Sequence, residues 1–129
     1  SKMFSILKIL LDRGALNSDA MLILDEPEAH LHPKWQNLFA EIVVMLVKKM
    51  NICVLLTTHS PNFMLAIDAY MRKYDLSEKT NFYQTNFLED GFVQYQCVND
   101  NMDVIYRDFL QYLSEVKMLR NECIRSNGD

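Results

Sequence analysis

The sequence predicts an α/β fold: a parallel sheet with helices on both faces, followed by an antiparallel β-hairpin and a terminal helix. Three observations carry that expectation. Two apolar runs of strand length, Met21 to Leu24 and Ile52 to Leu56, alternate with amphipathic helical stripes. The resulting order of strand, helix, strand, helix implies parallel strands joined by a right-handed crossover. Beyond Tyr74 the pattern changes to two aromatic and β-rich runs separated by Glu89-Asp90-Gly91, which reads as a hairpin.

From Lys2 to Leu11, Met3, Ile6, Leu7, Leu10 and Leu11 fall on one helical stripe, and Gly14 suits the C-cap after it. A polar loop, Asn17-Ser18-Asp19, precedes the first strand. That strand is apolar on both faces, as in a central strand covered from both sides. Pro33 suits the first position of the next helix, whose stripe runs through Trp35, Leu38, Phe39, Ile42, Leu46 and Met50. Trp35 and the Met and aromatic stripes of the helices read as core. The second strand ends in Thr57-Thr58-His59-Ser60-Pro61, where Ser60 as N-cap and Pro61 after it open a helix with Met64, Ile67, Met71 and Tyr74 on one side. The hairpin strands are Phe82 to Leu88 and Phe92 to Val98. Asn99-Asp100-Asn101 leads into a last helix with its stripe at Met102, Ile105, Phe109, Tyr112, Val116 and Leu119, and residues 126–129 read as a frayed tail. The expectation is one partial domain over 1–129, with the α/β part in 1–75 and the hairpin and helix in 76–129.

Half of the 129 residues are apolar, enough for a real core. The formal charge of -4, with a pI near 5.3 and no dense Lys/Arg block, makes the chain a poor nucleic-acid surface by itself. DNA contact through other parts of a parent protein stays open. Cys53, Cys97 and Cys123 are dispersed and form no CxxC pair; Cys53 reads as a small core residue, and a reducing cytoplasm fits. The longest apolar run, Ile42 to Val47, is far short of the roughly 20 residues of a membrane span, so no membrane partner is expected. The opening Ser1-Lys2, without an initiator Met or a signal peptide, suggests an excised or processed piece.

The chemistry concentrates in LILDEPEAHLHP, Leu22 to Pro33. An acidic pair at the carboxyl end of a buried strand stands where open α/β sheets place ligands. One carboxylate there can hold Mg²⁺, usually through water, and the next can orient or deprotonate a water attacking a γ-phosphate. The same Asp25-Glu26 pair could equally just end a strand and cap a turn. The second signal is TTHS: His59, at the end of the next strand, can hydrogen-bond a γ-phosphate oxygen, although a lone histidine can also be structural.

Together, LILDEPEAHLHP and LLTTHSP resemble the ATP-binding-cassette ATPases of the P-loop NTPase class, in particular the SMC/RecF/OLD-like branch of AAA-type ATP-binding proteins of genome maintenance and phage defence. The resemblance is close up to about Tyr74 and looser beyond. It implies that Met21 to Asp25 is the Walker B strand with Asp25 on the magnesium side, that Glu26 is the catalytic base, that Glu28 to His32 is the D-loop, and that His59 is the switch histidine. Ser1 and Lys2 resemble the last residues of the signature motif, which in this family covers the nucleotide of the other subunit, so the implied active form is a head-to-tail dimer around ATP and Mg²⁺. His32 stands where transporter members carry an Asp, which argues against a transporter motor. None of Gly14, Gly91 and Gly128 belongs to a GxxxxGK pattern, so these residues lack the phosphate-binding loop. The chain alone is therefore expected to be inactive, with coupling to DNA or a partner nuclease left to other regions. Two rivals remain: a zinc site from Glu28, His30, His32 and His59, and a purely structural or dimerising piece.

Overall fold

The computed structural model describes residues 2–126; Ser1 lies outside them, as do residues 127–129 of the expected tail. The chain divides into two compact units, residues 1–80 and 81–129.

The first unit opens with α1 (Lys2–Asp12). Gly14, at φ 67°, ends it in the left-handed conformation that glycine adopts without strain, and the Ala15 amide reaches back to the Leu10 carbonyl at 3.0 Å. Next come β1 (Met21–Asp25) and α2 (Pro33–Met50), then β2 (Cys53–Thr57) and α3 (Pro61–Lys73). A 3₁₀ turn at Ser77–Lys79 closes the unit. Strands β1 and β2 pair in parallel, Met21 opposite Cys53 through to Asp25 opposite Thr57.

In-register pairing puts Leu22, Leu24, Val54 and Leu56 on one face of this two-stranded sheet and Met21, Ile23, Cys53 and Leu55 on the other. The first face is covered: Leu22 and Leu24 are buried, as are Phe39, Val43 and Val44 of α2 and Phe63, Ile67 and Met71 of α3. Phe39 centres this core. Its ring meets Phe4 of α1 edge-on at 5.4 Å and stacks on Phe63 at 6.0 Å, tying the three helices together.

The second face corrects the expectation of helices on both sides. Ile23 is 67% exposed and Leu55 53%, so among the described residues of this unit the helices sit on one face only. The apolar character of both faces is present in the sequence, but nothing described within the unit covers the second. Cys53 lies on that face and is exposed, not core. Trp35 is also half exposed, at 51%; it sits in the first turn of α2, with its ring 6.4 Å from that of Phe4 in a T-shaped arrangement.

The second unit holds an antiparallel hairpin, β3 (Tyr83–Phe87) and β4 (Val93–Cys97), and α4 (Asp103–Ser126). Gly91 takes φ 85° in the turn, as the expected hairpin requires. The Asn99 side chain accepts from the Phe82 amide at 2.7 Å and donates to Asn81 at 2.9 Å, pinning the base of the ribbon. The stripe expected to be core on α4 is not buried: Phe109, Tyr112, Val116 and Leu119 are exposed, and no residue of this helix is fully buried. No helix among the described residues is long and apolar enough to cross a membrane.

Truncating Phe39 to Ala should cost about 3–5 kcal/mol, because a fully buried ring leaves a cavity between three helices; urea unfolding followed by the fluorescence of Trp35 measures it. Tyr74 provides a pH test. Its hydroxyl donates to Glu41 at 2.7 Å, and that bond, with partial burial and the Glu41 charge, raises its pKa above the ordinary value of 10.0. The phenol thus holds its proton more tightly folded than unfolded. Its stabilising contribution is whole below the ordinary value and is lost as pH rises through the raised one. In Tyr74→Phe that part of the alkaline loss of stability should disappear.

Candidate functional site

The site gathers at the carboxyl ends of β1 and β2, which the parallel register holds level. Asp25 and Thr57 are direct partners across the sheet, and the Thr57 hydroxyl donates to Asp25 Oδ1. That same hydroxyl accepts from the Glu26 amide at 3.2 Å, while the Thr57 carbonyl accepts from it at 3.1 Å. Thr57 therefore fixes both the first carboxylate and the backbone that carries the second.

Glu26 leaves the strand with φ 44°. A left-handed conformation at a residue with a Cβ costs about 1–2 kcal/mol and persists only where the surroundings impose it. Here the Thr57 bonds hold its amide and the Ala29 amide holds its carbonyl at 3.0 Å. The turn carries the Glu26 side chain to His59, whose Nε2 stands 3.0 Å from Oε1 of Glu26. The imidazole is 92% exposed and has no other hydrogen-bonding partner among the described residues. The structure thus brings Asp25, Glu26 and His59 into one place, with the two catalytic candidates in direct contact.

The remaining sequence candidates fall nearby or apart. His32 is the N-cap of α2: its Nδ1 accepts from the Lys34 amide at 3.2 Å, the bond that an aspartate would make at the same point. Lys2 is the exposed first residue of α1, and no hydrogen bond or ion pair joins it to Asp25, Glu26 or His59. Ser1 lies outside the described residues. The zinc set does not assemble: among the described residues no three His, Cys, Asp or Glu side chains stand together as ligands. The physical reason is that His32 is engaged in capping and the Glu28 carboxyl is turned inward.

Glu28 is what sequence reasoning undervalued. It is 4% exposed, the one buried charged residue among the described residues, and its Oε1 accepts the Thr58 hydroxyl. Its Oε2 is buried with no hydrogen-bond partner among the described residues, an arrangement that costs about 1–3 kcal/mol for an unpaired acceptor. The second residue missed is Gln36. Its amide nitrogen donates to the Leu31 carbonyl at 3.1 Å, and its oxygen accepts from the Ser60 hydroxyl at 2.9 Å. The sequence offered no distinct signal for it, since Gln36 stands between the equally polar Lys34 and Asn37 at the start of α2.

Electrostatically, Asp25 and Glu26 have only His59 as a basic neighbour; no Lys or Arg pairs with either among the described residues. An exposed oxygen-donor carboxylate at the lip of a sheet is suited to Mg²⁺, which binds through one or two carboxylates, water and substrate oxygens. Asp25 fits that description.

Comparison with known proteins adds one partial similarity. The family model described as "AAA domain, putative AbiEii toxin, Type IV TA system" matches residues 3–66, from α1 into α3, a span that contains Asp25, Glu26, His32 and His59. The match supports an AAA, P-loop ATPase-type family for this part of the chain, a family generally of ATPases that bind nucleotide and typically use Mg²⁺. No similar curated protein and no similar solved structure was found.

Thr57→Val should cost about 1 kcal/mol in denaturant unfolding, since the Glu26 amide keeps the Thr57 carbonyl and only the hydroxyl bonds are lost.

Proposed function

We propose that this chain is the hydrolysis side of an ATP-binding-cassette-type ATPase of the SMC/RecF/OLD-like branch, acting in the cytoplasm as a head-to-tail dimer. The observation that carries the reading is the 3.0 Å contact between Glu26 and His59, delivered from consecutive strand ends beside Asp25. In this reading Glu26 accepts a proton from, or orients, the water that attacks the γ-phosphorus of ATP. His59 donates a hydrogen bond to a γ-phosphate oxygen. The bond they now share is the one that water and phosphate replace, and the exposed face of the imidazole leaves room for both.

Asp25 would hold Mg²⁺, which supplies charge neutralisation at the phosphates and lets an anionic substrate approach two carboxylates. The Lys2 end of α1, with Ser1, would reach across to the nucleotide of the second copy. The turn ending at His32 would form the D-loop at that junction. The glycine-rich cradle that seats a triphosphate is not among these residues, so high-affinity binding is assigned to another part of the ATPase. The toxin and type IV TA system in the matching family's description favour coupling to a toxin–antitoxin function over DNA maintenance. DNA or a partner nuclease would then engage through other regions.

In a protein that joins this chain to its phosphate-binding loop, Glu26→Gln should keep ATP binding and dimerisation while turnover falls by roughly 10²–10⁴-fold. Unchanged turnover would remove Glu26 from the role of base. ATP titrated calorimetrically into this chain alone should bind no more tightly than the high-micromolar range.

A further inference from the structure

Among the described residues, the one polar bond of the His59 imidazole is the 3.0 Å contact to Glu26. With the imidazole 92% exposed and bonded among the described residues only to Glu26, its position is set by the two residues that flank it. Both flanking residues are tied to one buried group. The Thr58 hydroxyl gives its single hydrogen to Glu28 Oε1, and its oxygen accepts from the Ser60 amide at 3.0 Å. Ser60 then caps α3, accepting from the Phe63 amide at 3.1 Å, and passes its hydroxyl hydrogen to Gln36 at 2.9 Å. Gln36 donates to the Leu31 carbonyl at 3.1 Å, and the Leu31 amide returns to the Glu28 carbonyl at 3.0 Å.

These bonds close into a ring through Glu28, Thr58, Ser60, Gln36 and Leu31. The ring fastens the turn after Glu26 to the turn that bears His59, and every member is placed by two others. A carboxyl buried at 4% exposure with one oxygen unpaired is a poor choice for stability alone. It is a good choice for rigidity, because a fully engaged hydroxyl cannot rotate and the peptide units on either side of His59 cannot turn independently.

We propose that Glu28 is a positioning residue, whose buried carboxyl acts through Thr58 and Ser60 to set where the His59 imidazole stands beside Glu26. The proposal rests on the hydrolysis reading for its purpose but not for its geometry. Glu28 touches neither water nor phosphate in it. It determines whether the side chains that do are in register.

The test is the ring ¹⁵N spectrum of His59 in the full chain labelled at histidine, with the signals assigned by their loss in His59→Gln. Glu26→Ala gives the reference shift for an imidazole that has lost its hydrogen-bonding partner. Glu28→Ala should move the His59 signals most of the way to that reference, and Thr58→Val should do the same. Glu28→Gln, whose amide oxygen still accepts the Thr58 hydroxyl, should leave them at the wild-type position. Should Glu28→Ala fail to fold, Thr58→Val decides, being isosteric and only partly buried. Folded Thr58→Val with His59 signals unmoved overturns the proposal. Because the spectrum needs no nucleotide, its failure is distinct from that of the hydrolysis reading, which falls instead if Glu26→Gln leaves ATP turnover unchanged.

Discussion

The in-register parallel pairing of β1 with β2 is the constraint on which the rest depends. A shift of one residue would send Asp25 and Thr57 to opposite faces of the sheet and separate the two strand ends. With the register as it is, a single threonine bridges the first carboxylate and the backbone of the second, and the following residues converge from two loops. The pairing is enforced from below: Leu22 and Leu24 are buried against helices whose own centre is Phe39. Packing on one face thus fixes polar geometry at the edge of the sheet.

Two kinds of restraint then divide the work. Backbone restraint dominates at Glu26, where φ 44° is imposed by hydrogen bonds to Thr57 and Ala29. Side-chain restraint dominates at His59, where a buried carboxyl, two hydroxyls and an amide stand in for the packing that an exposed ring lacks. Strain and buried polarity both lower stability, and both concentrate within a few residues of the same contact. That concentration distinguishes the strand end from an ordinary turn.

Much of this was legible in the chain. The order of elements, the caps at Ser60 and Gly14, and the hairpin turn at Gly91 follow from local chemistry, and the structure has them where the residues indicate. The meeting of Asp25, Glu26 and His59 was legible from their places at successive strand ends. The buried side of α2 was not. Residues 42–47 are apolar without a break, so periodicity could not choose between Ile42 and the buried pair Val43 and Val44. For Cys53 and the stripe of α4, apolar character was equated with burial, whereas burial needs a partner surface. Glu28 and Gln36 were missed because a hydrogen-bond ring spanning residues 28 to 60 has no spacing to detect.

The bare face of the two-stranded sheet has a practical outcome for handling the chain. Met21, Ile23 and Leu55 stand in water, and each strand pairs along one side only among the described residues. Open edges beside an apolar surface act as templates for adding further strands. In concentrated solution the chain on its own will therefore tend towards self-association and precipitation, and charged replacements at Ile23 or Leu55 offer a direct way to suppress it.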